Sequence, residues 1–110
     1  MNDMYEMYEW VNLTPHSITV AGRTYQSRGF ARVGEVASEQ TQFAGLPVVV
    51  VKAGEVTGLP APQPGVLFIV SRLTAQGLVG SGRHDIFFPH GEIRDSDGRI
   101  VGVHQLARLP

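Results

Sequence analysis

The chain has no cysteine. Disulfides, thiol nucleophiles and cysteine-ligated zinc are all excluded. A reducing compartment suits such a chain, and a cytoplasmic location is expected. Lysine is almost missing too. Of nine cations eight are arginine, and the ninth is Lys52. Ten acidic residues offset them, for a formal net charge of −1. Nonspecific nucleic-acid binding needs a basic excess, which this chain lacks. No apolar run approaches the roughly 20 residues of a membrane helix, so no membrane partner is expected. The N-terminus, Met1-Asn2-Asp3-Met4-Tyr5-Glu6, carries acid where a signal peptide carries base. Repeats and heptads are missing as well. So are the nucleophile elbow, the P-loop, the dinucleotide fingerprint and the His-Glu-x-x-His zinc motif.

What is there fits one compact domain. The 110 residues are 43% hydrophobic. A chain of that length buries about two-thirds of its unfolded surface, enough for a core without staples. An N-terminal segment, residues 1–10, is rich in Met, Tyr and Glu and ends in the only tryptophan, Trp10. It is read as a docked segment ahead of a single globular domain over 11–110.

Strand signals dominate the domain. Ser17-Ile18-Thr19-Val20 alternates polar and apolar residues, and Ala21-Gly22 turns it into Arg23-Thr24-Tyr25. Residues 31–36 alternate again, and 37–45 read as a loop. Pro47-Val48-Val49-Val50-Val51 is the longest β-branched run and reads as a central strand buried on both faces. Leu59 to Gly65 holds Pro60, Pro62 and Pro64, and reads as a stiff surface connection. Asp85 to Pro89 reads as a strand or an aromatic-anchored loop. Asp95-Ser96-Asp97-Gly98 joins two further strands, with Asp-Gly as its turn signal.

The chain is organised around residues 64–76. An apolar run, Val66 to Val70, stops at Ser71-Arg72, and a short helical pattern follows. This reads as a buried strand running into one helix near 71–78, with Ser71 as its N-cap. The fold class is α+β: a small β-rich domain with a strongly bent antiparallel or mixed sheet, a half-open barrel, and one short helix.

Five short motifs occur in order: Asn12-Leu13-Thr14-Pro15-His16; Gly58-Leu59-Pro60 with Pro62, Pro64 and Gly65; Ile69-Val70-Ser71-Arg72-Leu73 with Ala75; Arg83 and Asp85 with Pro89; and Arg94-Asp95 with Gly98-Arg99-Ile100-Val101-Gly102. Together they resemble a small, functionally uncharacterised family common in tailed phages and actinobacterial genomes. The resemblance spans residues 11–107 and implies a phage context, not a mechanism. Val79 to Gly82 is an insertion relative to that pattern. Val103 stands where relatives often carry cysteine.

Ser71 and Arg72 at a strand-to-helix junction are candidates for an anion cup, the bland alternative being a plain helix cap. Arg83 and Asp85, and Arg94 with Asp95, are either ion pairs between loops or further phosphate and ribose contacts. Asn12, Thr14 and His16 form either a self-satisfied turn or the polar wall of a pocket. No metal or other cofactor is expected. The leading expectation is a small phage-type binding protein that captures a nucleotide or another phosphorylated small molecule. One version sequesters a nucleotide signal of host antiviral defence. A homo-oligomer is expected, because a domain this small has little depth to enclose a ligand. A protein–protein inhibitor of a host factor is the alternative. A small nucleotide hydrolase with His16 as general base is the third.

Overall fold

The run after Gly65 becomes an inner strand of the sheet. The computed structural model describes residues 7–110, so the N-terminal reading of residues 1–6 lies outside the described residues. Strand β8, Val66–Ile69, runs parallel to β1, Glu9–Asn12, on one side and to β9, Ile86–Arg94, on the other. β9 then pairs antiparallel with β10, Ile100–Ala107. β10 runs parallel to β2, Ile18–Val20, which turns back into β3, Arg23–Tyr25. The strand order in this six-stranded sheet is β1-β8-β9-β10-β2-β3.

The two ends of that order nearly meet. Asn12 bridges Ser27 in parallel fashion just beyond β3. The Arg28 N–H donates to the Asn12 carbonyl, and the Ala31 N–H to the Leu13 carbonyl. The sheet is therefore nearly closed, in the manner of a barrel. Closure hides edge strands that would otherwise invite pairing with other chains.

Alternation along β8 splits the core into two clusters. Ile69 joins Ile18 and Val103, with Trp10, Val20, Tyr25 and Leu106 packed around them. These residues come from both ends of the strand order, so this is the side toward which the sheet curls. Trp10 meets Phe87 edge to face, ring centroids 5.0 Å apart. Phe68 and Val70 point the other way, toward Leu13, Ala31, Ala75 and Phe88. Helix α1, Arg72–Gly77, the one α-helix among the described residues, covers that second side, with Ser71 as its N-cap as the sequence predicts.

Pro89 sits inside β9, where proline normally cannot stand in a central strand. The Val70 N–H donates to the Phe87 carbonyl, so Phe87, and with it Pro89, faces the β8 side. β8 ends at Ile69, so Pro89 stands beyond the stretch of β9 that pairs with it.

The long valine run departs from expectation. It is not a central buried strand. Leu46–Val48 form a short β6 paired with β5, Thr41–Phe43, inside the stretch read as a loop. Val51 opens β7, Val51–Thr57, which pairs with β4, Arg32–Ala37. Both pairs stand apart from the barrel sheet as two-stranded sheets. Val48, Val49, Val50 and Val51 are all exposed, Val50 at 70%. β-branched residues specify extended backbone, but whether another layer covers the strand is a tertiary matter. Pro47 suits such an uncovered edge position.

Candidate ligand-binding site

The site begins at Asn12, the last residue of β1 and 1% exposed. Its side chain spends its whole hydrogen-bonding capacity. Nδ2 donates to the carbonyls of His16 and Tyr25, at 2.8 and 2.9 Å. Oδ1 accepts from the Thr14 N–H at 2.9 Å and from the Thr14 hydroxyl at 2.7 Å. Pro15 keeps Thr14 extended, so the chain turns sharply between Thr14 and Ser17. Asn12 and Thr14 thus build the turn and join β1 to the end of β3. The His16 side chain is left exposed at its crest.

The second wall is the head of α1. The Ser71 hydroxyl donates to Thr74 Oγ1 at 3.0 Å and accepts from the Thr74 N–H at 3.2 Å. Thr74, 1% exposed, passes its own hydroxyl proton to the Ala31 carbonyl. Ser71 is thus a working cap. Arg72 lies over the Phe88 ring, its guanidinium carbon 5.6 Å from the centroid. That stacking holds the cation, and among the described residues no carboxylate pairs with it.

Between these walls lies a cavity of about 470 Å³. Thr14, His16, Ser71 and Arg72 all line it, and so do Ser17, Thr19 and Glu92. Ile100 and Val101, both 52% exposed, add an apolar side. Four of the eight candidate residues therefore meet at one place. Ser17 and Thr19 carry no motif. Their signal is the alternation around Ile18, which is 9% exposed and sends its two neighbours to the other face. Glu92 had no such signal, because only the β9–β10 pairing carries it there.

The remaining candidates lie elsewhere. Arg83 grips Asp85 with Nε and Nη2, both at 2.9 Å, and its Nη2 also donates to the Pro60 carbonyl at 3.0 Å. Both side chains are largely buried, and they fasten the proline-rich connection to the start of β9. Arg83 borders two other cavities, neither lined by Arg72. Arg94 donates to the Gly98 carbonyl at 2.7 Å and stands 3.5 Å from Glu92 across exposed surface. Asn12 shapes the cavity from behind and does not line it. Among the described residues no three His, Asp or Glu side chains come together as a metal site.

The Arg83 hydrogen bonds hold the Asp85 carboxyl below its ordinary value of 3.8, against the opposing effect of burial. A depressed carboxylate stabilises the fold above its unfolded value, and that stability is lost as pH falls through the folded value. Asp85→Asn should therefore unfold at a lower temperature than the parent at neutral pH. The gap should narrow steadily below about pH 4. Melting curves across that range check this, and a gap independent of pH would contradict it.

Fold and site together define a β-rich protein with a nearly closed, barrel-like sheet and a mixed polar and apolar cavity beside the head of helix α1. Comparison with protein-family models, curated proteins and solved structures finds no match to this chain.

Proposed function

We propose that the protein is a small-molecule binding protein whose cavity takes a phosphorylated ligand of nucleotide type. One observation carries this reading. Three stretches far apart in sequence, at 14–19, 71–72 and 89–103, bring Arg72, Glu92 and several hydroxyls to a single cavity. Its volume falls within the several-hundred-Å³ range of small-ligand sites. Arg72, which stacks on Phe88 and pairs with no carboxylate among the described residues, is available to a phosphate. Glu92 suits the hydroxyl or amine protons at the other end of such a ligand. Ile100 and Val101 offer apolar contact to a ring. Capture of this kind needs no nucleophile. In a phage setting the ligand would be a host signalling nucleotide held out of circulation.

The test is thermal unfolding against mono-, di- and cyclic nucleotides, followed by chromatography of each ligand. A ligand at about a hundred times its dissociation constant adds roughly 2.7 kcal/mol, a shift of several degrees. Arg72→Ala should abolish the shift, whereas Arg83→Ala should lower the melting temperature yet keep it. Recovery of intact ligand supports capture, and altered ligand supports a hydrolase. An undiminished shift in Arg72→Ala would defeat the assignment.

A further inference from the structure

We infer that Glu92 makes the cavity selective for guanine among the nucleobases. The inference rests on the nucleotide reading above and names the base. Its ground is the placing of opposite charges along one strand. Arg72 stacks on Phe88, and Glu92 follows Phe88 by four residues in β9. Both charged side chains line the cavity. Four residues of extended strand span at most about 13 Å. A nucleoside monophosphate bridges that kind of distance from its phosphate to the far edge of its base.

Register fixes the side on which Glu92 stands. It pairs with Val103 across the β9–β10 ladder, and side chains directly opposite share a face. Val103 belongs to the core cluster around Ile69 and lines the same cavity. The Glu92 carboxylate is thus carried by the cavity's own floor.

Among the described residues Glu92 is the cavity's one carboxylate. An ionised carboxylate accepts hydrogen bonds and donates none. The hydroxyls around it are largely committed. Thr14 donates to Asn12, Ser71 donates to Thr74, and Thr19 is joined to Thr24 at 2.8 Å. Glu92 is held less firmly. Arg94 stands 3.5 Å from Oε1, longer than an ordinary hydrogen bond, and both side chains are about half exposed. Such a pair is weak in water, so the carboxylate is free to turn to a ligand.

The bases differ in what they offer two acceptor oxygens. On its Watson–Crick edge guanine presents N1–H beside the N2 amine, two donors side by side. A carboxylate receives both at once. Adenine sets its N1 lone pair beside the N6 amine, and cytosine its N3 lone pair beside the N4 amine. Each turns a lone pair toward the second oxygen. Uracil and thymine offer one N–H between two carbonyls. Only guanine satisfies both oxygens, and a polar group left unmatched costs more than the bond it fails to make. Ile100 and Val101 give the ring its apolar contact, and Arg72 takes the phosphate.

Calorimetric titration of the full chain with GMP, IMP and AMP tests this. GMP should bind at least about tenfold more tightly than AMP, the effect of one hydrogen bond to a charged group. IMP keeps N1–H but lacks the N2 amine, and should fall between them. Glu92→Gln should weaken GMP roughly tenfold and bring AMP level with it, because an amide both donates and accepts. The side chain is exposed, so the circular dichroism spectrum should stay that of the parent. Arg72→Ala should weaken all three nucleotides alike. Equal binding of GMP and AMP by the parent would overturn guanine selectivity and leave the nucleotide reading standing. So would a GMP preference that survives Glu92→Gln. Binding of none of the three would overturn both.

Discussion

Asn12→Ala is expected to lose on the order of 4 kcal/mol of stability, because buried groups left unsatisfied cost about 1–3 kcal/mol each. The side chain accepts twice from Thr14 and donates to two carbonyls, His16 and Tyr25. Alanine would strand the Thr14 N–H and the Tyr25 carbonyl where Asn12 is now 1% exposed, while the Thr14 hydroxyl keeps the His16 carbonyl at 3.0 Å. The same residue joins β1 to the chain leaving β3, so its loss also opens the seam of the barrel. A domain of this size is stable by about 5–15 kcal/mol, and the melting temperature should fall by roughly 15 °C or more. Asn12→Asp separates the halves of the network. It keeps both acceptor interactions and sets a carboxylate oxygen against two carbonyls, so at neutral pH it should be nearly as damaging. A melting temperature within a few degrees of the parent for Asn12→Ala would show that the network does not hold the seam.

Gly58→Ala should come close behind. Gly58 follows β7 at φ +81°, a conformation that costs a side chain about 1–2 kcal/mol. The space is also filled. A Cβ there would stand 2.4 Å from the Phe30 carbonyl oxygen and 3.3 Å from the Ala31 Cα. Both contacts are backbone, so no flexible side chain can swing aside. Ala31, fully buried, belongs to the core cluster under the helix, and pushing it away disturbs that packing. The total should reach about 3–5 kcal/mol, strain and lost packing together. Gly45→Ala is the control. Its φ is +84°, yet nothing lies within 4 Å of the added Cβ. It should lose only about 1 kcal/mol, the conformational part alone. Equal melting temperatures for the two variants would mean that the close approach at Gly58 is relieved cheaply.

Much of the fold was legible wherever chemistry is local. The helix start follows from Ser71, whose hydroxyl caps Thr74. The β2–β3 turn follows from Ala21-Gly22, where both residues take positive φ as such tight hairpins require. The last hairpin follows from Asp95, which accepts from the Asp97 and Arg99 N–H groups. Arg83 with Asp85 was legible as a pair, because two residues apart on an extended chain they share a face. What failed was the inference from apolarity to burial in the valine run. The run Val48 to Val51 is as hydrophobic as Val66 to Val70, yet the second is core and the first is in water.

The sequence by itself determined that the chain is β-rich with a short helix after Ser71, where the β2–β3 and β9–β10 turns fall, and that cysteine chemistry plays no part. Those depend on backbone preference and side-chain inventory, which act over a few residues. Only the tertiary structure decided that β1 lies beside β8, that the barrel closes through Asn12, and that Arg72 faces Glu92's cavity while Arg83 is tied to Asp85 elsewhere. It also decided that the valine run stands in water apart from the barrel. Each of these is a choice of neighbour between stretches far apart in the chain. Local patterns say that a face is apolar, and the choice of neighbour says what covers it.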